Sequence, residues 1–117
     1  MTQMQEIAAI KGYHAHIYFD AASKAQAEAL CKAAVERFGV EMGRMHDRPV
    51  GPHPHPSCQL AASPAQFAAL LPWLALNRGA LLVFAHPETG QELEDHRDHA
   101  IWLGTGLPLK LSIFDNS

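Results

Sequence analysis

Residues 12–19 read Gly12-Tyr-His-Ala-His-Ile-Tyr-Phe19, and their alternation decides the fold. Tyr13, Ala15, Ile17 and Phe19 fall on one side of an extended chain; His14, His16 and Tyr18 fall on the other. Side chains on a strand point alternately to its two faces, so this pattern predicts a β-strand with one apolar face and one histidine face. The apolar set belongs against a core, and the histidines face the side the core leaves open.

The neighbouring segments supply that core. Ser23-Lys-Ala-Gln26 reads as a capping box, in which the Ser hydroxyl takes an orphan N–H and the Gln side chain reaches back. Ala27, Leu30, Cys31, Ala34, Val35 and Phe38 then recur at helical spacing, and Gly39 is a natural stop. Residues 40–46 read as a second strand. Residues 47–56 hold four prolines, which forbid a helix and make a stiff extended loop. Residues 57–62 read as a third strand. Ser63-Pro-Ala-Gln66 is a second capping box, with Phe67, Leu70, Leu71 and Leu74 as the buried stripe and Pro72 as an expected kink. Residues 80–86 are almost wholly apolar, as in a central strand, and Pro87-Glu-Thr-Gly90 reads as a turn. A short helical turn is expected at 91–98, a strand-like piece at 99–103 and a last strand at 109–114. Residues 1–11 carry no period and read as a loose lead-in. The order is βαββαβ, the ferredoxin-like α+β plan: an antiparallel sheet, two helices on one face, and an irregular C-terminal extension with an extra strand. The expectation is one domain over residues 1–117.

Composition removes several function classes. The chain has 117 residues, 48% of them hydrophobic, with 9 Lys+Arg against 12 Asp+Glu and a net charge of −3. No basic run suits a nucleic-acid backbone. No apolar run approaches the roughly 20 residues of a membrane span, and the N-terminus lacks a leader pattern, so a cytoplasmic protein is expected. Cys31 and Cys58 fit two buried small hydrophobes in a reducing compartment.

Histidine is the unusual residue, with eight in the chain. His14 and His16 leave the same strand face, spaced by about 7 Å. His53 and His55 sit between prolines that stiffen their backbone. His86 ends the apolar strand, and His96 and His99 lie in a charged patch; His46 has no assigned role. In the ferredoxin-like order the first strand neighbours both the third and the fourth, so these rings can converge on the open face. Several neutral imidazoles in one site suit Fe(II), Zn, Ni or Cu rather than Ca or Mg. Glu92, Glu94 and Asp95 are candidate carboxylates for a fourth ligand or an orienting role. H-E-x-x-H, zinc-finger cysteine pairs, G-x-S-x-G and the phosphate-binding loop motif are all missing from the sequence.

Five stretches together give a resemblance to a family. They are Tyr13-His-Ala-His-Ile-Tyr-Phe-Asp20, Gly51-Pro-His-Pro54, Leu76-Asn-Arg-Gly79, His86-Pro-Glu-Thr-Gly90 and Asp95-His-Arg-Asp-His-Ala-Ile-Trp-Leu-Gly104. In that order, the chain resembles the small DOPA 4,5-dioxygenase-like proteins of bacteria and fungi. The resemblance implies a ferredoxin-like fold and extradiol cleavage of a catechol by O2 at a non-haem metal, usually Fe(II), with Zn an equally good fit to an all-histidine site. Its motif positions are His14, His16, His53, His86, His96 and His99. The expected metal ligands are His16, His53 and His86, with His14 as replacement or fourth ligand. His14, His96 and His99 are the acid–base candidates. Arg44, Arg78 and Arg97 are candidates for bidentate pairing with a substrate carboxylate. A homodimer is expected, because one sheet face needs cover and Leu109, Leu111, Ile113 and Phe114 give the tail something to bury. The competing reading is a zinc- or copper-binding module without turnover.

Overall fold

The computed structural model describes residues 3–115. The strands are β1 (Gly12–Tyr18), β2 (Glu41–Met42), β3 (Ser57–Ala62), β4 (Leu82–Glu88) and β5 (Ile101–Leu103). The helices are α1 (Lys24–Phe38), α2 (Pro64–Asn77) and α3 (Glu92–Arg97). The sheet is antiparallel in the order β2-β3-β1-β4-β5, so the opening strand lies at its centre between β3 and β4. This is the ferredoxin-like plan with β5 added beyond β4 as the extra strand.

Register carries the alternation of β1 across the sheet. Residues directly opposite in an antiparallel pair share a face. His14 lies opposite His86, His16 opposite Phe84 and Tyr18 opposite Leu82, while Phe84 lies opposite Trp102 of β5. One face therefore gathers His14, His16, Tyr18, Phe84, His86 and Trp102. The other face buries Ala15, Ile17, Val83 and Ala85 against Ala27, Cys31 and Ala34 of α1 and Phe67, Leu70 and Leu74 of α2. Tyr13 stacks on Phe67 with ring centroids 4.0 Å apart, which ties α2 to the start of β1.

Four expectations are corrected by the structure. The Ser23 capping box does not form: Ser23 Oγ instead donates to Asp20 Oδ1 and accepts from Asp20 N, closing a turn before α1. The second strand shrinks to Glu41–Met42 and resumes only as a bridge between His46 and Ser57. β4 runs past His86 to Glu88; Pro87 cannot donate, but Lys11 N–H donates to Glu88 O and carries the ladder beyond it. The stretch at 109–114 is no strand. A 3₁₀ turn at Leu111–Phe114 folds back instead, with Lys110 N donating to Pro52 O and Phe114 against His96.

The Ser63 box does form: Gln66 N donates to Ser63 Oγ, and Ser63 N donates to Gln66 Oε1. α2 continues through Pro72 without ending there. Gly39 terminates α1 at φ 71°, a conformation that favours glycine. We expect Ser63→Ala to cost about 1 kcal/mol, as for other lost helix caps. Urea denaturation reads this as a lower midpoint with an unchanged slope; an unmoved midpoint would mean that the box contributes nothing.

Candidate metal centre

β1 and β4 place three imidazoles side by side. One potential ligand atom from each of His14, His16 and His86 lies within 4.8 Å of the other two. His16 Nε2 and His86 Nε2 are 3.2 Å apart, in a region where His16 is 4% and His86 1% exposed. His53 comes from the proline-rich loop and lays its ring 4.0 Å from that of His16. His96 comes from α3, with its ring 3.9 Å from His86 and 4.5 Å from Phe114. Five of the eight histidines thus meet on one face, between Phe84, Trp102 and Phe114.

The outer nitrogens are held in a definite way. A carbonyl oxygen only accepts, so His86 Nδ1 must carry its proton to donate to Pro87 O at 3.0 Å. His96 Nδ1 likewise donates to Glu92 O. His14 Nδ1 meets Glu88 Oε1 at 3.0 Å, and the same oxygen lies 3.4 Å from His86 Nδ1. Each of these rings then has a bare lone pair on Nε2. A histidine that donates from one nitrogen to a carbonyl or carboxylate and offers the other is the usual arrangement at a metal. His86 Nε2 can only accept from His16, so His16 Nε2 carries the proton between them. A cation taking that place requires His16 to hold its proton on Nδ1.

Electrostatics keep His14, His16, His53 and His86 neutral. Burial pushes His86 down to about 4, against the raising effect of its hydrogen bond to Pro87. Burial, then His96 and His46, push His53 down to about 4. His16 is held well below the usual imidazole value by burial and then by its histidine neighbours. Burial also lowers His14 and raises Glu88. At neutral pH the donors therefore need not shed a proton before meeting a cation, and the donor set fits a transition metal.

The other expected site residues lie as follows. His99 borders a separate cavity of about 160 Å³ with Ile7, Pro87 and Thr89. His55 is exposed at a cavity of about 230 Å³ beside Tyr18 and Asp20. Arg97 forms a two-bond pair with the adjacent Asp98. Arg78 donates to Leu81 O and packs so close to Gly104 that a Cβ there would lie 2.9 Å from Arg78 Nη1. Arg44 is exposed along the 44–50 loop. Asp95 is buried, accepting from Thr89 N and Thr89 Oγ1, so it braces α3 against the end of β4. Glu92 offers its backbone carbonyl to His96. The carboxylate that does reach the histidines is Glu88, two residues beyond His86 and on the same strand face. Tyr18 is also drawn in, its hydroxyl 2.8 Å from His53 Nδ1. Strand parity places Tyr18 on the histidine face without giving it a role, and Glu88 falls in the stretch that reads as a turn.

The sheet and its imidazole-lined face define a ferredoxin-like domain built around donors suited to a transition metal. The chain belongs to the Dopa 4,5-dioxygenase family, whose model matches residues 13–113. It is 36% identical over 112 residues to a DOPA 4,5-dioxygenase of Amanita muscaria, covering 88% of this chain and 49% of that protein. It is 38% identical over 114 residues to an uncharacterized 21.2 kDa protein of Botryotinia fuckeliana, covering 86% and 62% respectively. The chain thus spans half to three-fifths of the length of these two relatives. A crystal structure of a "putative dioxygenase" from Nostoc punctiforme superposes with a TM-score of 0.91 at 43% identity, covering 93% of this chain and 95% of the other. The family name, the Amanita relative and the Nostoc structure point to a dioxygenase. Among the described residues no helix is long and apolar enough to cross a membrane.

The buried neutral histidines make stability depend on pH in a stated direction. Their folded pKa lies below the unfolded value of 6.5, so the unfolded chain takes up protons first as pH falls. The stabilisation is complete above 6.5 and is lost as pH drops towards about 4. Taken singly, His53 and His86 each contribute on the order of 3 kcal/mol to that loss. Denaturant midpoints of the metal-free protein should fall steeply from pH 6.5 to 4.5. A flat profile across that window would mean that the rings are not buried neutral.

Proposed function

We propose that this chain is a non-haem, metal-dependent extradiol dioxygenase that cleaves a catechol ring, with DOPA or a related catechol as substrate. The observation that carries the reading is the convergence of His14, His16 and His86 within ligand distance on the face opposite the helices. Those three are the proposed metal ligands, in a domain of about 13 kDa that belongs to a family named for the reaction. Bound Fe(II) would supply the electron transfer that lets dioxygen react with a catecholate.

The remaining steps fall to the protein's own groups. Phe84, Trp102 and Phe114 stand against the histidines and give the face an apolar border suited to contact with an aromatic substrate. His96, with its proton fixed on Nδ1 by Glu92 O, has Nε2 free to take a proton from a catechol hydroxyl. Glu88 holds His14 by its Nδ1–H and keeps the ring aimed. In the overall reaction both atoms of O2 enter the product, and the ring C–C bond next to the diol breaks, leaving a yellow ring-opened acid aldehyde.

The test is oxygen uptake by anaerobically Fe(II)-loaded protein mixed with aerated DOPA or simple catechols. We expect one O2 consumed per catechol with growth of a yellow product, and at least a ~100-fold loss in His86→Ala, which removes a proposed ligand. Tight metal retention with no oxygen uptake from any catechol would contradict the proposal and favour a metal-binding module without turnover.

A further inference from the structure

The hydrogen bonds of the histidine face sort its rings into two kinds. His86 and His96 each donate from Nδ1 to a carbonyl, and His14 Nδ1 faces a carboxylate; all three therefore present a bare Nε2. His53 differs. Its Nδ1 faces the hydroxyl of Tyr18 at 2.8 Å, in a place where Tyr18 is 3% and His53 5% exposed. A phenol can donate or accept, so the partner alone does not fix the ring. The buried surroundings do. Among the described residues the Tyr18 hydroxyl meets one hydrogen-bond partner, His53 Nδ1, and no buried side-chain polar atom is left without a partner. If Nδ1–H donated to the phenol oxygen, the phenol proton would have no protein acceptor among the described residues; with Tyr18 donating, it has one. Tyr18 therefore donates and Nδ1 accepts. The proton of neutral His53 then sits on Nε2, the opposite tautomer from His14, His86 and His96.

Resting on the dioxygenase reading above, we propose that Tyr18 is a positioning residue that makes His53 a hydrogen-bond donor to an anionic oxygen of the bound catechol, and not a metal ligand. A metal ligand must offer a lone pair; with Nδ1 engaged by Tyr18, His53 turns a protonated Nε2 outward, whereas His16 meets no such hydroxyl and can move its proton to Nδ1 when a cation takes the place of the His16–His86 hydrogen bond. The geometry agrees: His53 packs its ring against His16 at 4.0 Å, yet it stands outside the three rings whose ligand atoms lie within 4.8 Å of one another. The loop holds it there rigidly. His53 N donates to Val50 O across a turn in which Gly51 has φ 54°, and Pro52 O accepts from Lys110 N of the tail. A donor fixed before substrate arrives can stabilise a catecholate without reorganising. The ligand set His16, His53 and His86 expected from the sequence is thereby replaced by His14, His16 and His86, with His53 facing the substrate.

Two measurements test this separately from turnover. Nitrogen-15 NMR of the metal-free protein above pH 7 should show His53 with a bare Nδ1 and a protonated Nε2, and His86 with the reverse. Tyr18→Phe should shift His53 towards the other tautomer. In anaerobic Co(II) titrations, His53→Ala and His53→Gln should bind the metal as wild type does, while His16→Ala loses it at least tenfold. On Co(II)-loaded protein, 4-nitrocatechol should bind at least tenfold more weakly to His53→Ala, and His53→Gln, which keeps an N–H donor, should recover part of the loss. A protonated Nδ1 on His53 in the wild type, or a tenfold loss of Co(II) affinity in both His53 variants, overturns the inference. Wild-type protein that binds no Co(II) overturns the dioxygenase reading instead, and the NMR result still decides the tautomer.

Discussion

The pairing of His14 with His86 across the central strands is the contact on which everything else depends. Antiparallel register puts directly opposite residues on the same face, and a slip of one residue would turn a whole row to the other side. Because β1 lies between β3 and β4, one register fixes two alignments at once. It sends Ala15, Ile17, Val83 and Ala85 into the helix-covered core, and His14, His16 and His86 onto the opposite face. The apolar burial that holds the sheet together is therefore the same constraint that assembles the imidazoles. No separate device is needed to bring them into reach.

Neutrality is the second constraint, and it follows from the first. Rings packed this closely and this far from water cannot all carry charge, so burial and mutual repulsion hold His16, His53 and His86 unprotonated. Neutral imidazoles must then place one proton each, and the oxygen atoms around them decide where. Pro87 O, Glu92 O and Glu88 take the Nδ1 protons of three rings. The supporting shell thus does more than orient the rings: it assigns which nitrogen can offer a lone pair.

Much of this was legible in the sequence, because period two in residues 12–19 and the helical spacing after Gln26 are strong local signals. The fold order and the facing of His14 and His16 followed from them. What escaped depended on partners far along the chain. Ser23 has the residues of a capping box, yet Asp20 lies closer and claims its hydroxyl. Glu88 was hidden because Pro87 resembles a strand end, whereas the ladder continues through Lys11 and Glu88. The Leu109–Phe114 stretch has apolar residues suited to a strand, but it pairs with no strand of the sheet, and Phe114 finds the ring of His96 instead. Local sequence also could not tell His96 from His99. The short helix α3 brings one ring to His86 and leaves the other on a different cavity.

Iron K-edge X-ray absorption of protein loaded anaerobically with one equivalent of Fe(II) tests the central claim most directly. The account predicts outer-shell scattering from three imidazoles, a pattern that His16→Ala reduces and that the spectrum of His99→Ala does not. A spectrum of oxygen donors alone, unchanged in His16→Ala, would contradict it.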